Sequence, residues 1–259
     1  MFESKEIGED VIRKIEMDKI SRLLKADRWN TKQKVALACR MLFNAGHDSG
    51  LSGQITARVK DNVYITQALG LGFDEISVSN LLTVDSDLQV IEGTGLPNPA
   101  NRFHSWIYNT RPDVACILHT HAQHISALSM LGVPLEIAHT DCCAVYDDVA
   151  HLRNWPGVPL GNSEGLIISQ ALGEKSALLL SHHGLVTVGK DVEEAFYLAL
   201  SVEKAAKLQL LALGAGKIQK IRFDLGMEAK QWLRLDARIY ATFSYHARKI
   251  LRDSELCLQ

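Results

Sequence analysis

This 259-residue sequence has no surplus of positive charge, no paired-cysteine spacing and no long uncharged apolar run. Twenty-eight Lys and Arg stand against thirty Asp and Glu, a formal net charge of −2, and no basic run breaks the balance. A nucleic-acid partner is therefore not expected. The longest stretch free of Asp, Glu, Lys and Arg runs from Val114 to Leu135, and it holds three His, Gln123 and several Ser and Thr. That is too polar to span a bilayer, so no membrane partner is expected. The five cysteines (Cys39, Cys116, Cys142, Cys143, Cys257) are odd in number and lack C-x-x-C spacing. They suit reduced thiols, not a disulfide framework or a cysteine zinc site. Met1 to Glu6 lacks the apolar run of a secretory signal, and a cytoplasmic location is expected. No fixed repeat and no Pro/Gly/Ser-rich linker divides the chain. With 47% apolar and 22% charged residues, a single globular domain with a substantial core is the simplest reading.

What is present is a pattern of helices alternating with short strands. Residues 1–30 are charged and amphipathic, an N-terminal extension with a loose beginning and a peripheral helix. Thr31 suits an N-cap for a helix ending near Gly46. Strand-like runs follow at Ile55–Val59, Asn62–Thr66, Leu81–Val84 and Leu88–Ile91, with Ser86-Asp87 as a hairpin tip and Gly70-x-Gly72 in a loop. A helix is predicted over Asn101–Tyr108, closed by Arg111-Pro112. Beyond it come a strand (Val114–Thr120), a helix (Ala122–Leu131), a strand (Leu135–Thr140) and a loop to about Gly161. A helix at Ser163–Leu172 and strands at Ala177–Leu180 and Leu185–Val188 follow. Asp191 with Glu194 forms a capping box for a helix running to about Leu213. The remainder is helical, with Trp232, Tyr240, Phe243 and Tyr245 expected to pack against the domain or a neighbouring subunit. The pattern predicts an α/β fold in which helices cover a mixed or antiparallel sheet. The divisions are 1–30, a main domain over 31–215, and a helical extension over 216–259.

Histidines cluster at two predicted strand ends. His119-Thr120-His121 closes one strand, where residues two apart share a face. His182-His183-Gly184 closes another, with His183 sixty-two residues beyond His121. Three convergent imidazoles with open coordination positions would make a catalytic divalent-metal site, Zn²⁺ by ligand type. A structural role for isolated buried histidines is the competing explanation, and residue chemistry alone leaves both open.

At these residues the sequence resembles the class II aldolase/adducin family, over about Lys32 to Leu213, some seven tenths of the chain. The resemblance rests on Ser52-Gly53-Gln54-Ile55-Thr56-Ala57-Arg58, Ile65-Thr66-x-x-x-Gly70, and Phe103-His104-x-x-x-Tyr108-x-x-Arg111-Pro112-Asp113. His119-x-His121, His183-Gly184, Glu194-Ala195 and Glu203-x-x-Ala206 complete it. It implies a three-layer α/β/α domain with a mainly antiparallel central sheet, and a cyclic homotetramer with sites at subunit interfaces. It also implies a metal, Zn²⁺ or a neighbour such as Mn²⁺, held by His119, His121 and His183. His182 is the weaker ligand candidate. In the family's enzymes the metal stabilises an enolate or enediolate of a small-molecule substrate as a carbon–carbon bond breaks. Gln54 and Gly70 fall at substrate-contacting positions.

The departures from the family pattern bear on the chemistry. The glutamate acid/base that lies nineteen positions before the first ligand is here Ala100, and the phosphate-binding serine pair is Asn98-Pro99. The family's asparagine is Gln54, and its interface tyrosine falls on Thr140. Asp141, Tyr146 and His124 are candidates for a replacement acid, each with a structural alternative: a cap, a packing ring and a helix-surface residue. Arg58 and Arg102 are candidates for an anionic group, against a structural ion pair. Two functions follow from the resemblance. One is a metal-dependent carbon–carbon lyase, an aldolase or decarboxylase; the other is an adducin-like, non-catalytic oligomeric module. The altered phosphate positions weigh against a sugar-phosphate epimerase.

Overall fold

The computed structural model describes residues 8–24, 26–158 and 161–259. Its centre is one eight-stranded sheet built from β1 (Gln54–Lys60), β2 (Val63–Gln67), β3 (Leu81–Asp85), β4 (Val90–Glu92), β5 (Cys116–Thr120), β6 (Val149–Leu152), β7 (Ala177–Leu180) and β8 (Gly184–Gly189). The order is β4-β3-β2-β1-β5-β8-β7-β6. Every neighbouring pair is antiparallel except β6–β7. The helices are α1 (Glu9–Leu23), α2 (Thr31–Asn44), α3 (Arg102–Thr110), α4 (Gln123–Ser129), α5 (Asn162–Leu172), α6 (Val192–Ala215), α7 (Phe223–Leu233) and α8 (Asp236–Leu251). None of the described helices is long and apolar enough to cross a membrane.

The strands' two-residue period sorts side chains between two cores. On β5, Cys116 and Leu118 join the cluster under α2, α4 and α6, whereas Ile117 joins the cluster under α3 and α5. On β7, Ala177 and Leu179 face the first cluster and Leu178 and Leu180 the second. The result is the expected three-layer α/β/α arrangement. α8 packs on α6 and α2, α7 packs on a 3-10 turn at Thr140–Val145, and α1 packs on α8. The loose beginning expected for the N-terminal segment lies outside the described residues.

Several local expectations need correction. The cap of α2 is Asn30, not Thr31: its side chain accepts from Gln33 N and the Gln33 side chain accepts from Asn30 N. Asp191 caps α6 by accepting from Glu194 N (2.8 Å), but Glu194 reaches back to Lys190 N instead of closing the box on Asp191. Leu135–Thr140 is not a strand. Gln209 of α6 holds its start instead, accepting from Glu136 N (2.7 Å) and donating to the O of Pro134 just before it (3.1 Å). The segment taken as a loop to Gly161 contains β6. Phe243 is buried and Trp232 packs in a satellite cluster, while Tyr245 is half exposed beside Lys249. All five cysteines are buried free thiols.

Candidate active site

Antiparallel pairing brings the β1 start, the β5 end and the β8 start to one end of the sheet. Gln54 stands opposite His119, and His119 stands opposite Val186. His119 projects to the α3 side, where the Phe103 ring meets it edge-on at 5.5 Å. His121 follows just beyond β5, and His183 immediately precedes β8. One ring nitrogen from each of His119, His121 and His183 lies within 4.8 Å of the others. The Nε2 atoms of His119 and His121 are 3.0 Å apart. Two imidazole donors at about 2.0–2.1 Å from one tetrahedral cation would stand about 3.3 Å apart, so this spacing suits shared coordination.

The surroundings prepare these rings as ligands. His119 Nδ1 donates to Leu185 O (2.9 Å), which fixes the tautomer and leaves the Nε2 lone pair facing its neighbours. Burial, and then the adjacent His183 and His121, hold the His119 pKa well below the usual imidazole value. Burial and His121 depress His183 to about 4, and burial lowers His121. All three are therefore neutral near pH 7, as metal ligation requires. The buried Nδ1 of His183 and Oε1 of Gln54 have no hydrogen-bond partner. Unpartnered buried polar atoms beside a convergent donor set are those that a bound water or ion satisfies. The donor set and the orphaned atoms fit a divalent cation.

The glycine after His183 has a steric reason. A Cβ on Gly184 would lie 2.6 Å from Thr120 O and 2.8 Å from His121 Cδ2, so only glycine lets β8 approach the ligand turn. His182, the weaker ligand candidate, is exposed and adopts φ 58°. Its strained turn allows the next residue to enter the cluster. Ser49 secures the other ligand turn by accepting from His121 N (2.7 Å).

His124, Asp141, Tyr146 and Arg58 have structural partners. His124 Nδ1 contacts Glu203 Oε1 at 2.6 Å, and the same carboxylate accepts from His124 N and Ile125 N (both 2.9 Å). Glu203 thus caps α4, directly after the ligand strand, and His124 is part of that cap. Asp141 is exposed, pairs with Lys204 at 2.6 Å, and has its pKa lowered by that contact. Tyr146 donates to Ile221 O (2.9 Å) and lies where a Cβ on Gly226 would come within 2.4 Å of its ring. Arg58 donates to Tyr108 O (3.1 Å) with its guanidinium 4.7 Å from the Tyr108 ring centre. Arg102, at the start of α3, has no ion-pair partner among the described residues. Gly70 sits in the turn after β2 with φ +96°, at the same end of the sheet as the imidazoles. Thr140 lines a groove with residues of α1 and α7, including Ile12 and Trp232. Ala100 is nearly buried, and its N–H donates to Asn98 Oδ1 (3.0 Å).

The matched motifs turn out to be scaffold as well as site. His104 Nδ1 and Tyr108 OH, one helical turn apart, both meet Thr56 Oγ1 (2.8 and 2.9 Å), locking α3 onto β1. Arg111 pairs with Asp113 and donates to Gly173 O (2.6 Å). The profile of the Class II Aldolase and Adducin N-terminal domain matches residues 33–210, which cover this scaffold and all three clustered histidines. The chain belongs to that family. It is 31% identical over 211 residues to the Meiotically up-regulated gene 14 protein of Schizosaccharomyces pombe, covering 78% of this chain and 82% of that one. It is 29% identical over 233 residues to Decarboxylase NovR of Streptomyces niveus, with 87% and 86% covered. The L-fuculose 1-phosphate aldolase from Glaciozyma antarctica PI12 superposes with a TM-score of 0.81 at 29% identity, covering 93% of this chain and 99% of that structure.

Two residues at this end carried no assigned role in the sequence. His104 was legible as part of a motif but not as the buried bridge to Thr56. Trp155 lies just beyond β6, a strand of four residues whose pattern, Val-Ala-His-Leu, gives little signal of its own. Its ring centre is 6.0 Å from that of His183.

Proposed function

We propose that this protein is a metal-dependent carbon–carbon lyase, an aldolase or decarboxylase, acting on a small oxygenated carbonyl compound or acid. The observation that carries the reading is the convergence of His119, His121 and His183 as neutral donors at one end of the sheet. A divalent cation there, Zn²⁺ or Mn²⁺, would supply Lewis-acid polarisation of a substrate oxygen and offset the negative charge left when the bond breaks. The chain's own groups do the rest. His119, His121 and His183 hold the cation, and the Leu185 carbonyl keeps His119 in the ligating tautomer. Gln54, which pairs with His119 across the β1–β5 ladder and has an unpartnered Oε1, would accept a hydrogen bond from substrate.

Ala100 cannot move a proton, and His124, Asp141 and Tyr146 are engaged elsewhere. This favours decarboxylation over aldol cleavage, because loss of CO₂ needs no prior removal of a hydroxyl proton and water can protonate the carbon afterwards. The names of the relatives include both an aldolase and a decarboxylase. The adducin-like, non-catalytic reading rests on Ala100 alone, whereas a complete imidazole set supports chemistry. The same reading takes residues 31–215 as the catalytic domain, with 1–30 and 216–259 as extensions, in a cytoplasmic homotetramer.

The test is elemental analysis of the purified protein, followed by a CO₂-release and aldol-cleavage screen of keto and hydroxy acids. One equivalent of metal per chain and turnover abolished in His119→Ala are expected. Metal-free protein that cannot be loaded would sink the enzymatic reading.

A further inference from the structure

We propose that Trp155 is the specificity-determining wall of this site, selecting a ligand whose oxygen-bearing end is joined to a flat aromatic body, an aryl keto or hydroxy acid. The inference rests on the lyase reading for the identity of the site and adds the shape of what enters it.

The four tryptophans differ in what they do. Trp29 packs on Phe243 with ring centres 6.0 Å apart. Trp106 donates from its indole nitrogen to Asn162 Oδ1 at 3.4 Å and lies over Gly165. Trp232 carries the Arg238 guanidinium at 5.2 Å. Trp155 has none of these ties. It is 46% exposed, joins none of the apolar clusters, and its indole N–H has no partner among the described residues. Its ring contact is with the candidate ligand His183, tilted 59° to that imidazole. An indole held half in water at the edge of a ligand cluster offers a large apolar face to whatever occupies the cluster.

Several other residues near this end of the sheet are apolar too. Phe103, fully buried, backs the His119 ring with the two ring planes at 90°. Ala100 and Pro99 stand where the family resemblance puts an acid and a phosphate contact, and proline offers no N–H. Asn98 Oδ1 is already committed to the Ala100 N–H. Beside Gly70, Leu69 and Leu96 are joined by a 2.7 Å backbone bond and are 47% and 70% exposed. The negative face of an aromatic ring disfavours a phosphate dianion and favours the positive edge, or the offset face, of another ring. Arg153, exposed and two residues before Trp155, is the cation nearest in sequence for the acid's carboxylate.

Calorimetric titration of Zn²⁺-loaded and metal-free protein with phenylpyruvate, pyruvate and dihydroxyacetone phosphate tests the inference. The wild type is expected to bind phenylpyruvate roughly tenfold more tightly than pyruvate, the size of one aromatic pair. Trp155→Ala should lose about tenfold for phenylpyruvate and less than about twofold for pyruvate, and Trp155→Phe should recover most of the loss. Metal content and thermal unfolding of both variants should match the wild type. Equal losses for the two keto acids, no loss for either, or dihydroxyacetone phosphate binding as tightly as phenylpyruvate would each overturn the inference. Selective, Trp155-dependent binding without turnover would uphold it while removing the lyase reading.

Discussion

The same four strands, β5 to β8, have polar groups buried at both ends, and the two ends are built oppositely. At the end where β6 and β7 begin and β8 finishes, the carboxylates of Asp148 and Glu194 form a charged cluster in which every oxygen has a partner. Arg234 reaches Asp148 and Glu194 (both 2.6 Å), Lys230 adds a contact to Asp148 (3.3 Å), and Ser176 N and Lys190 N donate to the remaining carboxylate oxygens (3.0 and 2.9 Å). At the other end the buried groups are neutral imidazoles and an amide, and His183 Nδ1 and Gln54 Oε1 have no partner. A completed network fixes helices to the sheet. An incomplete one is held ready for something the chain does not itself supply.

The largest expected effect that tests this contrast is His119→Ala. Elemental analysis should show stoichiometric metal lost, while far-ultraviolet circular dichroism stays that of the wild type. Arg234→Met should do the reverse. Leaving Glu194 buried without its cation, and Asp148 with Lys230 alone, costs about 3 kcal/mol by denaturant unfolding, with metal content of the surviving folded protein unchanged. If Arg234→Met instead released metal, the two ends would not be independent. Glu203→Ala removes the acceptor for two N–H groups of α4 and should cost about 1–2 kcal/mol.

A smaller, graded effect is expected with pH. Burial depresses both His47 and His104 to about 3. Unfolded, each takes up a proton as pH falls below its ordinary value near 6.5, while the folded form does not until about 3. Their contribution is complete above 6.5 and declines as pH drops, by up to about 1.4 kcal/mol per pH unit for each group. Denaturant midpoints at pH 7, 6 and 5 should fall accordingly, and His104→Gln should remove its share of the slope. The smallest effect is Asp141→Asn, which loses only an exposed pair and should change stability by less than about 0.5 kcal/mol.

Ala177–Leu180 was legible as a strand because four apolar residues are bounded by polar ones, and both faces of β7 are buried. Leu135–Thr140 misled because Leu135 and Ile137 flank Glu136 and the run is free of Gly and Pro, which resembles a short half-buried strand. What overrides it is the side chain of Gln209, 73 residues from Glu136, which no local pattern can reveal. The clustering of His119, His121 and His183 was legible because strand ends and the glycine after His183 are local features. The engagement of His124, Asp141 and Tyr146 was not, since each partner (Glu203, Lys204, Ile221) lies more than sixty residues away. The exposed indole beside His183 depends on a short edge strand that pairs only with β7, so its position too was set by distant chain.

The register between β5 and β8, in which His119 faces Val186, has a consequence for refolding. Slipping β5 by one position would turn His119 toward the α2 layer and carry Leu118 into the cluster instead. A chain that regained its helices but mispaired these strands would look native by circular dichroism yet fail to take up a cation. Recovery of cation uptake after dilution from denaturant therefore counts correctly registered molecules, something ordinary spectroscopic probes of folding do not distinguish.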